Sequence, residues 1–293
     1  METKNEKKSK LSDLSYIREV LTRHGFQFSK SMGQNFLINP GVCPRMAAEC
    51  GAESCAGVLE IGPGMGVLTW ELSQVAKKVV AVELDRRLFP VLEETLSDCH
   101  NVELVEGDVL KLDLMELIRE KFGNEKICVC ANLPYYITSP VIMRLLESDL
   151  PLQSITVMVQ KEAAKRICAQ PGTRECGAVS ASVWYHSQPE ILFPVSRGSF
   201  LPPPNVDSAV IRLTLREGPP VQVGDKEQFF KIVRAAFSQR RKTAANSIAA
   251  SSPFSKEQVE QALLEIGVQK NVRAEQLLLE QLAELANSLR NIV

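Results

Sequence analysis

The sequence predicts an α/β protein with a mostly parallel sheet, an antiparallel strand at its edge and a small all-helical domain at the C-terminus. First, short uninterrupted apolar strands alternate with amphipathic helices over residues 58–159. This pattern is typical of a parallel sheet covered on both faces. Second, two strand-like runs at 191–195 and 209–215 follow each other without a helix, which favours an antiparallel pair at the sheet edge. Third, only helical periodicity follows Gly218-Pro219-Pro220.

The segment before the sheet contains one short helix, one loop and the start of a second helix. Residues 12–24 carry apolar side chains at helical spacing and are followed by Gly25, which predicts an amphipathic helix. Residues 28–37 have no helical period and are expected to form a loop. Asn39-Pro40 is a favourable N-cap and first helical position, so a helix from there to Gly51 is expected.

Within the sheet region, strands are predicted where apolar runs are short and helices where the period is 3.6. The predicted strands are 58–61, 79–83, 102–105, 127–130 and 155–159, and the helices between them are 68–76, 87–96, 112–121 and 138–147. The proline-rich run at 200–204 is expected to be a stiff connection between the last two strands. Further helices are predicted at 258–266 and 274–289. These assignments divide the chain into a catalytic domain, 1–217, and a helical domain, 218–293.

Composition places few restrictions on function, but it argues against several classes. The chain has 293 residues, 45% hydrophobic and 24% charged, with a formal net charge of −1. These values are ordinary for a soluble globular protein. No apolar run approaches the roughly 20 residues that a membrane span requires, and no apolar signal core follows the charged N-terminus. We therefore expect a cytoplasmic protein that does not bind membranes, and we expect a monomer.

The eight cysteines do not form a metal-binding pattern. None lies in a C-x-x-C pair, and the three histidines do not flank a cysteine pair at ligand spacing. Cys128 and Cys130 alternate with Val129 inside a predicted strand, where a thiol behaves as a small hydrophobe. We expect reduced structural cysteines and no metal.

Basic residues are concentrated near the two ends of the chain. They are Lys7, Lys8 and Lys10 at the N-terminus, and Lys231, Arg234, Arg240, Arg241 and Lys242 in the helical domain. The second group is the candidate RNA-binding surface. A solvated helix face is the alternative interpretation, because such clusters are common on helices that bind nothing.

The most informative stretch is Asn132-Leu133-Pro134-Tyr135, in the run 131–141 that directly follows the strand at 127–130. The Asn side-chain oxygen is a hydrogen-bond acceptor, and Pro134 keeps Leu133 extended, so that backbone carbonyls have a fixed direction. The ring of Tyr135 offers a face on which a nucleobase can stack. This combination suits a planar exocyclic amine such as that of adenine or cytosine. Without other support, a structural turn with buried tyrosines is an equally good interpretation.

Polar residues also end the three preceding strands. Glu60 is followed by the turn Gly62-Pro63-Gly64-Met65-Gly66, and Glu83 and Asp108 end the next two strands. The glycine turn lies where an open α/β sheet binds its ligand. It reads G-x-G-x-G instead of the dinucleotide G-x-G-x-x-G, and an acid at this position suits a cationic ligand. Glu83 has the position of an acid that binds ribose hydroxyls, and Asp108 is positioned to accept from an adenine amino group.

Together these motifs resemble the S-adenosylmethionine-dependent rRNA adenine N6-dimethyltransferase family, and within it the bacterial small-subunit enzymes. The resemblance extends over nearly the whole chain. The matching segments are residues 30–37, 60–66, 83–85, 107–108, 132–135, 200–210 and 237–242. It implies a Rossmann-like methyltransferase sheet, S-adenosylmethionine as cofactor, and transfer of four methyl groups to two adjacent adenosines in the 3′-terminal hairpin of 16S rRNA within the small subunit or its precursor.

The resemblance also assigns roles to individual residues. Asn35, Leu37 and Gly62 would line the cofactor site with Glu60 and Gly64, Glu83 would hold the ribose hydroxyls, and Asp108 the adenine amine. Asn132 would lie where cofactor and target meet, accepting from the target amine together with the Leu133 or Pro134 carbonyl. Tyr135 would stack on the target base. Phe200 is the candidate for the opposite wall, with a core phenylalanine as the alternative.

Three rival functions remain open from sequence. A nicotinamide dehydrogenase would share the sheet but needs a different glycine turn and a hydride-handling group. A non-catalytic RNA-binding assembly factor could use the same scaffold, although intact Gly62, Glu83, Asp108 and Asn132 favour an enzyme. A large-subunit rRNA methylase of the macrolide-resistance type shares the catalytic core, but the segments at 200–204 and 240–242 resemble the small-subunit enzymes more closely.

Overall fold

The structure, a computed structural model, describes residues 11, 13–27 and 35–291. Lys7, Lys8, Lys10 and the motif residues 30–34 lie outside the described residues. The chain forms two compact units. The first comprises the residues up to Ala164 together with Glu190–Leu215, and the second comprises Lys165–Pro189 together with Arg216–Val293.

A seven-stranded sheet in the order β4-β3-β2-β5-β6-β9-β7 forms the centre of the first unit. Its strands are β2 (Val58–Ile61), β3 (Val79–Glu83), β4 (Val102–Glu106), β5 (Ile127–Asn132), β6 (Leu152–Gln160), β7 (Ser187–Val195) and β9 (Ser208–Leu215). The pairs from β4 to β6 are parallel. β9 runs antiparallel to β6 and lies between it and the edge strand β7. The predicted fold class is confirmed.

Helices connect these strands and build most of the second unit. Their bounds are α1 (Leu14–Arg23), α2 (Val42–Glu49), α3 (Val67–Val75), α4 (Phe89–Thr95), α5 (Leu114–Phe122), α6 (Thr138–Glu147), α7 (Lys161–Ile167), α8 (Ala178–His186), α9 (Lys226–Ala236), α10 (Ala244–Ser251), α11 (Lys256–Glu265) and α12 (Leu279–Arg290). Among the residues described, no helix is both long and apolar enough to cross a membrane.

The loop expected at residues 28–37 ends in a short strand that the sequence analysis missed. β1 (Phe36–Leu37) pairs antiparallel with β8 (Phe200–Leu201), which lies in the run expected to be only a connection. Phe36 is opposite Leu201, and Leu37 is opposite Phe200. A two-residue strand leaves no periodicity to detect, and its partner lies more than 160 positions away. The pairing brings residues 36–37 to the carboxyl edge of the main sheet.

The N-cap predicted at Asn39 is wrong. Helix α2 begins at Val42 with Gly41 as its N-cap, and the Asn39 side-chain oxygen accepts a hydrogen bond from the Gly41 backbone N–H at 3.0 Å. Asn is equally suited to such an Asx turn, in which the side chain binds its own backbone two residues on. The helix therefore starts two residues later than expected.

The core of the first unit is built on strands whose side chains are buried on both faces. All residues of β2 and β3 are buried, as is β5 as far as Ala131. The eight cysteines are free thiols, and six of them are buried. Cys128 and Cys130 are both fully buried in β5, as their alternation with Val129 predicted.

The second unit has its own apolar core, and it includes a segment that the predicted division at 217 assigned to the first domain. Residues 165–189 group with the C-terminal helices because α8 packs into their core. The ring of Tyr185 lies 5.2 Å from that of Phe229 and 5.1 Å from that of Phe230, measured between centroids. Ala181 belongs to the same core. The second unit is therefore discontinuous in sequence.

Candidate active site

A cavity opens at the carboxyl ends of the parallel strands, where successive β–α turns meet. All the residues that the sequence analysis assigned to catalysis or cofactor binding line it: Asn35, Leu37, Glu60, Gly62, Gly64, Glu83, Asp108, Asn132, Leu133, Pro134, Tyr135 and Phe200. They come from six separate stretches of chain. The parallel topology brings four of these stretches together, because each lies at or just after the carboxyl end of a strand of the sheet. The other two belong to the β1–β8 pair or directly adjoin it.

The glycine turn after β2 needs glycine for its backbone conformation. Gly62, Gly64 and Gly66 have φ values of 70°, 59° and 83°, in the region that side chains disfavour. A Cβ on Gly64 would lie 3.2 Å from the Phe36 ring. The turn leads directly into α3, so its backbone forms one wall of the cavity and leaves space for a ligand.

Glu60 is the most strongly perturbed acid in this cavity. It is 1% exposed, and its Oε2 has no hydrogen-bond partner among the described residues. Burial raises the pKa of Glu60 to about 8, an effect that the Thr69 hydroxyl partly offsets and the charge of Glu83 increases. A buried carboxyl with an unused oxygen facing a cavity is suited to a cationic group of a ligand.

Glu83 is held by backbone donors that leave part of its carboxylate available. Its Oε1 accepts from the Asp85 N–H at 2.8 Å, and its Oε2 accepts from the Gly64 N–H at 3.4 Å. Burial raises the pKa of Glu83, and these backbone hydrogen bonds oppose the increase. Each carboxylate oxygen can accept more than one hydrogen bond, so the group can still accept from a diol.

Asp108 lies at the turn after β4. Its Oδ1 accepts from the Leu110 N–H at 2.9 Å, and its Oδ2 lies 3.4 Å from the Lys111 ammonium. The lysine is largely exposed, so this pair contributes little to stability. The backbone hydrogen bond fixes the direction of the carboxylate beside the cavity.

Hydrogen bonds within the Asn132–Tyr135 segment determine which of its acceptors remain available to a ligand. The Asn132 side-chain nitrogen donates to the Asn35 carbonyl at 3.4 Å, and within the described ranges no donor binds the side-chain oxygen. The Pro134 carbonyl accepts from the Ile137 N–H at 3.1 Å and from the Thr138 hydroxyl at 3.5 Å. Since both of its acceptor positions are used, the Leu133 carbonyl is the better second acceptor for an amine in the cavity.

Tyr135 is fixed at its hydroxyl, and Phe200 is fixed by packing. The Tyr135 hydroxyl lies 2.7 Å from the Ser208 hydroxyl, and burial raises the pKa of Tyr135. Phe200 is 3% exposed and belongs to the apolar core while also lining the cavity. The two interpretations given for Phe200 are therefore compatible.

Several lining residues were not found from sequence. Leu84 directly follows the strand-end acid Glu83 and is 52% exposed, and Val109 follows Asp108. Tyr136 is 61% exposed and lies in the 3₁₀ turn Tyr135–Ile137, just before α6. Each lies next to a residue that the sequence analysis did select. Their position after a strand end was the available signal, but apolar residues there are too common to be singled out.

The five basic residues predicted to bind RNA do not line this cavity and belong to the second unit. All five are exposed. Lys231 is paired with Glu227 at 2.6 Å on its own helix. Arg240, Arg241 and Lys242 lie in the turn between α9 and α10, where the Lys242 N–H donates to the Gln239 carbonyl at 3.1 Å. No group of His, Cys, Asp or Glu within the described ranges has the arrangement of a metal site.

An open, mostly parallel sheet whose strand ends bring a glycine turn, acids and the Asn132–Tyr135 segment to one cavity is the architecture of a Rossmann-like nucleotide-dependent transferase. Comparisons with known proteins agree with this class. The family model described as ribosomal RNA adenine dimethylase matches residues 25–291. The chain belongs to the ribosomal RNA adenine dimethylase family.

Individual relatives support this assignment. The chain is 46% identical over 280 residues to ribosomal RNA small subunit methyltransferase A of Geobacillus sp. (strain WCH70), which covers 94% of this chain and 96% of the relative. It resembles the solved structure of the 23S rRNA methyltransferase ErmE, with 29% identity, a TM-score of 0.68, and coverage of 87% and 100% of the two chains. A dimethyladenosine transferase from Plasmodium falciparum gives 26% identity and a TM-score of 0.69, with 85% and 95% covered.

Proposed function

We propose that this protein transfers methyl groups from S-adenosylmethionine to the N6 atoms of two adjacent adenosines in the 3′-terminal hairpin of 16S rRNA, as a step in small-subunit biogenesis. The observation that carries the proposal is the single cavity that collects the glycine turn, the strand-end acids and the Asn132–Tyr135 segment. The name of the Geobacillus relative supports the small subunit as the target. We further propose that the protein acts as a monomer in the cytoplasm.

The residues present fit the cofactor. Glu60 offers a cationic group its buried Oε2, which accepts no hydrogen bond from any residue that the structure describes. Glu83 accepts from the ribose hydroxyls, and Asp108 accepts from the adenine amine. Asn35, Leu37, Gly62 and Gly64 complete the binding wall, while Leu84 and Val109 offer apolar contact to the adenine ring. When bound, S-adenosylmethionine supplies an electrophilic methyl group.

Asn132 and Leu133 activate the target amine by accepting its hydrogens. The lone pair of an adenine amino nitrogen is delocalised into the ring, which makes it a poor nucleophile. Two acceptors, the Asn132 side-chain oxygen and the Leu133 carbonyl, favour a pyramidal nitrogen whose lone pair is free to attack. These contacts strengthen as the nitrogen pyramidalises, so they stabilise the transition state more than the ground state. No general base is required, because the proton can leave after the transfer.

Tyr135 and Phe200 hold the target base. The Ser208 hydrogen bond restricts the Tyr135 ring, so a base stacked on it is positioned without further ordering of that side chain. Phe200 bounds the opposite side. The target adenosine must leave its stack to enter the cavity, and this is least costly in an RNA loop. Lys231, Arg234, Arg240, Arg241 and Lys242 give the helical unit a surface for RNA phosphates.

The function is tested by incubating the protein with labelled S-adenosylmethionine and ribosomal particles from a strain that lacks the modification. We expect label at two adjacent adenosines of the 16S rRNA 3′-terminal hairpin. Label in 23S rRNA would favour the large-subunit alternative, to which the 29% identity with ErmE gives some support. Binding without label would identify a non-catalytic assembly factor.

A further inference from the structure

A second cleft lies beside the cavity in the first unit, and no part of the mechanism uses it. It is lined by Gln160, Lys161, Glu162, Arg197, Asn205, Val206 and Asp207. The strand pair β6–β9 connects it to the cavity. Gln160 is opposite Ser208 in that pair, and the Ser208 hydroxyl is the group that binds the Tyr135 hydroxyl at 2.7 Å. The cleft is thus one residue pair away from the ring assigned to the target base.

One residue, Asp207, brings two cationic residues from distant parts of the chain to this cleft. Its carbonyl accepts from the Lys161 backbone N–H at 3.0 Å, and its Oδ1 accepts from the Arg197 backbone N–H at 3.0 Å. Because these hydrogen bonds use the backbone N–H groups of Lys161 and Arg197, the charged side chains take no part in them. Both side chains are exposed, and neither has a salt-bridge partner among the residues described.

The chemistry of the cleft suits a single anionic group better than a broad polyanionic surface. Lys161 and Arg197 supply the charge, while the amides of Gln160 and Asn205 are neutral donors. The cleft also contains the carboxylates of Glu162 and Asp207, which bring the formal charge of its lining to zero. Asp207 has one carboxylate oxygen engaged with the Arg197 N–H, and Glu162 has an interaction of its own. Because cations and carboxylates lie side by side in the cleft, an anionic group binds well only where it contacts Lys161 and Arg197 and avoids the two carboxylates.

We propose that this cleft binds one phosphodiester group of the RNA strand next to the nucleotide that enters the cavity, with Lys161 and Arg197 as its charged contacts. The proposal rests on the proposed function, since it requires an RNA whose target base lies against Tyr135. Phosphate contacts fix the register of a nucleic acid on a protein. A contact beside Tyr135 would hold the backbone while the base is turned out of its stack.

The test measures binding of a 16S rRNA 3′-terminal hairpin fragment as a function of salt concentration. The double variant Lys161→Gln with Arg197→Gln should bind about three- to tenfold more weakly near physiological salt. The slope of its log–log salt dependence should be shallower by about one unit, as expected for one lost phosphate contact. S-adenosylmethionine affinity should stay unchanged.

Two control variants separate this site from a general loss of charge. Lys77→Gln with Arg119→Gln removes one Lys and one Arg from exposed positions of the same unit that do not line the cleft, and it should bind RNA like the parent. Lys161→Arg with Arg197→Lys keeps both charges and should retain most of the slope. Thermal melting checks that all three variants are folded.

Three results would overturn the proposed phosphate site. Parent-like affinity and slope in the Lys161/Arg197 glutamine variant would overturn the proposal, and so would an equal loss in the Lys77/Arg119 control. Absence of RNA binding by the unmodified protein would overturn it as well. Binding by the unmodified protein without methyl transfer contradicts the proposed function alone, because the salt slope is measured without turnover.

Discussion

At the scale of single residues, the cofactor contact proposed for Glu60 couples cofactor binding to the release of a proton. Its pKa of about 8 lies above the ordinary carboxyl value of 4.5, so at pH 7 the carboxyl is protonated in the cofactor-free protein. Between these two values the folded protein holds a proton that the unfolded chain has released, so this group's contribution to stability falls as the pH rises. A cation beside Glu60 reverses the preference, because it favours the ionised carboxylate.

We therefore predict that S-adenosylmethionine binding near pH 7 releases a proton from Glu60. Affinity should increase as the pH rises from about 6 towards 8 and then level off. Calorimetry in buffers of different ionisation enthalpy measures the release directly. Glu60→Gln, which cannot ionise, should abolish the buffer dependence. A buffer-independent enthalpy in the unmodified protein would show that Glu60 does not change its protonation state.

Asn132 should affect chemistry more than binding. Its side-chain nitrogen donates to the Asn35 carbonyl, so the side-chain oxygen is the atom proposed to accept from the target amine. Asn132→Ala removes this acceptor. Single-turnover methyl transfer should decrease by about a hundredfold or more, by analogy with the loss of one oxyanion-hole donor. RNA affinity and thermal stability should stay close to those of the parent.

Asn132→Asp is the informative companion, since it keeps the shape and the acceptor. It should retain more activity than the Ala variant if acceptance of the amine hydrogen is what matters. Full turnover in Asn132→Ala would falsify this mechanism and leave residues 132–135 as a structural turn.

At the scale of elements, sequence patterns predicted the bounds of a helix or strand correctly where local sequence alone determines where it begins and ends. β2 and β3 have the predicted bounds, because uninterrupted apolar runs end sharply at an acid or a glycine turn. The pairing of Phe36–Leu37 with Phe200–Leu201 was missed because it depends on a partner far along the chain. The α2 cap was misplaced because Asn39 satisfies either of two local hydrogen-bond patterns. The cavity was predictable to the extent that its residues follow strand ends.

The glycine turn gives a prediction at this scale. Gly66 has a φ of 83° and is the N-cap of α3, and a Cβ there would lie 3.0 Å from a Leu96 methyl carbon. Gly66→Ala should destabilise the protein by about 1–2 kcal/mol, mainly through left-handed backbone strain. Thermal unfolding should show a Tm lower by roughly 2–8 °C.

Gly218→Ala is the matched control for this variant. No atom lies within 4 Å of a Cβ at Gly218, and its φ is outside the left-handed region. Its Tm should stay within about a degree of the parent value, because a surface substitution without strain has little effect. Equal melting temperatures for the two variants would mean that the turn tolerates a side chain.

At the scale of the whole molecule, the proposed cofactor site and the predicted RNA contacts belong to different units of the chain. Every residue lining the cavity belongs to the first unit, and the exposed basic residues 240–242 belong to the second. The two apolar cores are distinct sets of residues. The sequence alone predicted both the strand-end residues that line the cavity and the basic residues of the helical unit. It missed that residues 165–189 join the second unit, because the aromatic packing of Tyr185 against Phe229 and Phe230 is visible only once the chain is folded.

This separation predicts that the turn between α9 and α10 can be altered without affecting the cofactor. Arg240, Arg241 and Lys242 have no salt-bridge partners in the part of the chain that the structure describes, whereas Lys231 is already paired with Glu227. Replacing these three residues with Gln should weaken rRNA binding and make its log–log salt dependence shallower by about one unit per lost phosphate contact, or somewhat less. S-adenosylmethionine affinity, measured by calorimetry, should stay at the parent value because no cavity residue is changed.

Lys231→Gln is the comparison variant. Its effect on the salt slope should be smaller than that of replacing any one of the three residues, because the charge of Lys231 is already partly neutralised by Glu227. If the triple variant keeps the parent's RNA affinity and salt slope, the cluster is a solvated surface and the RNA must be held elsewhere.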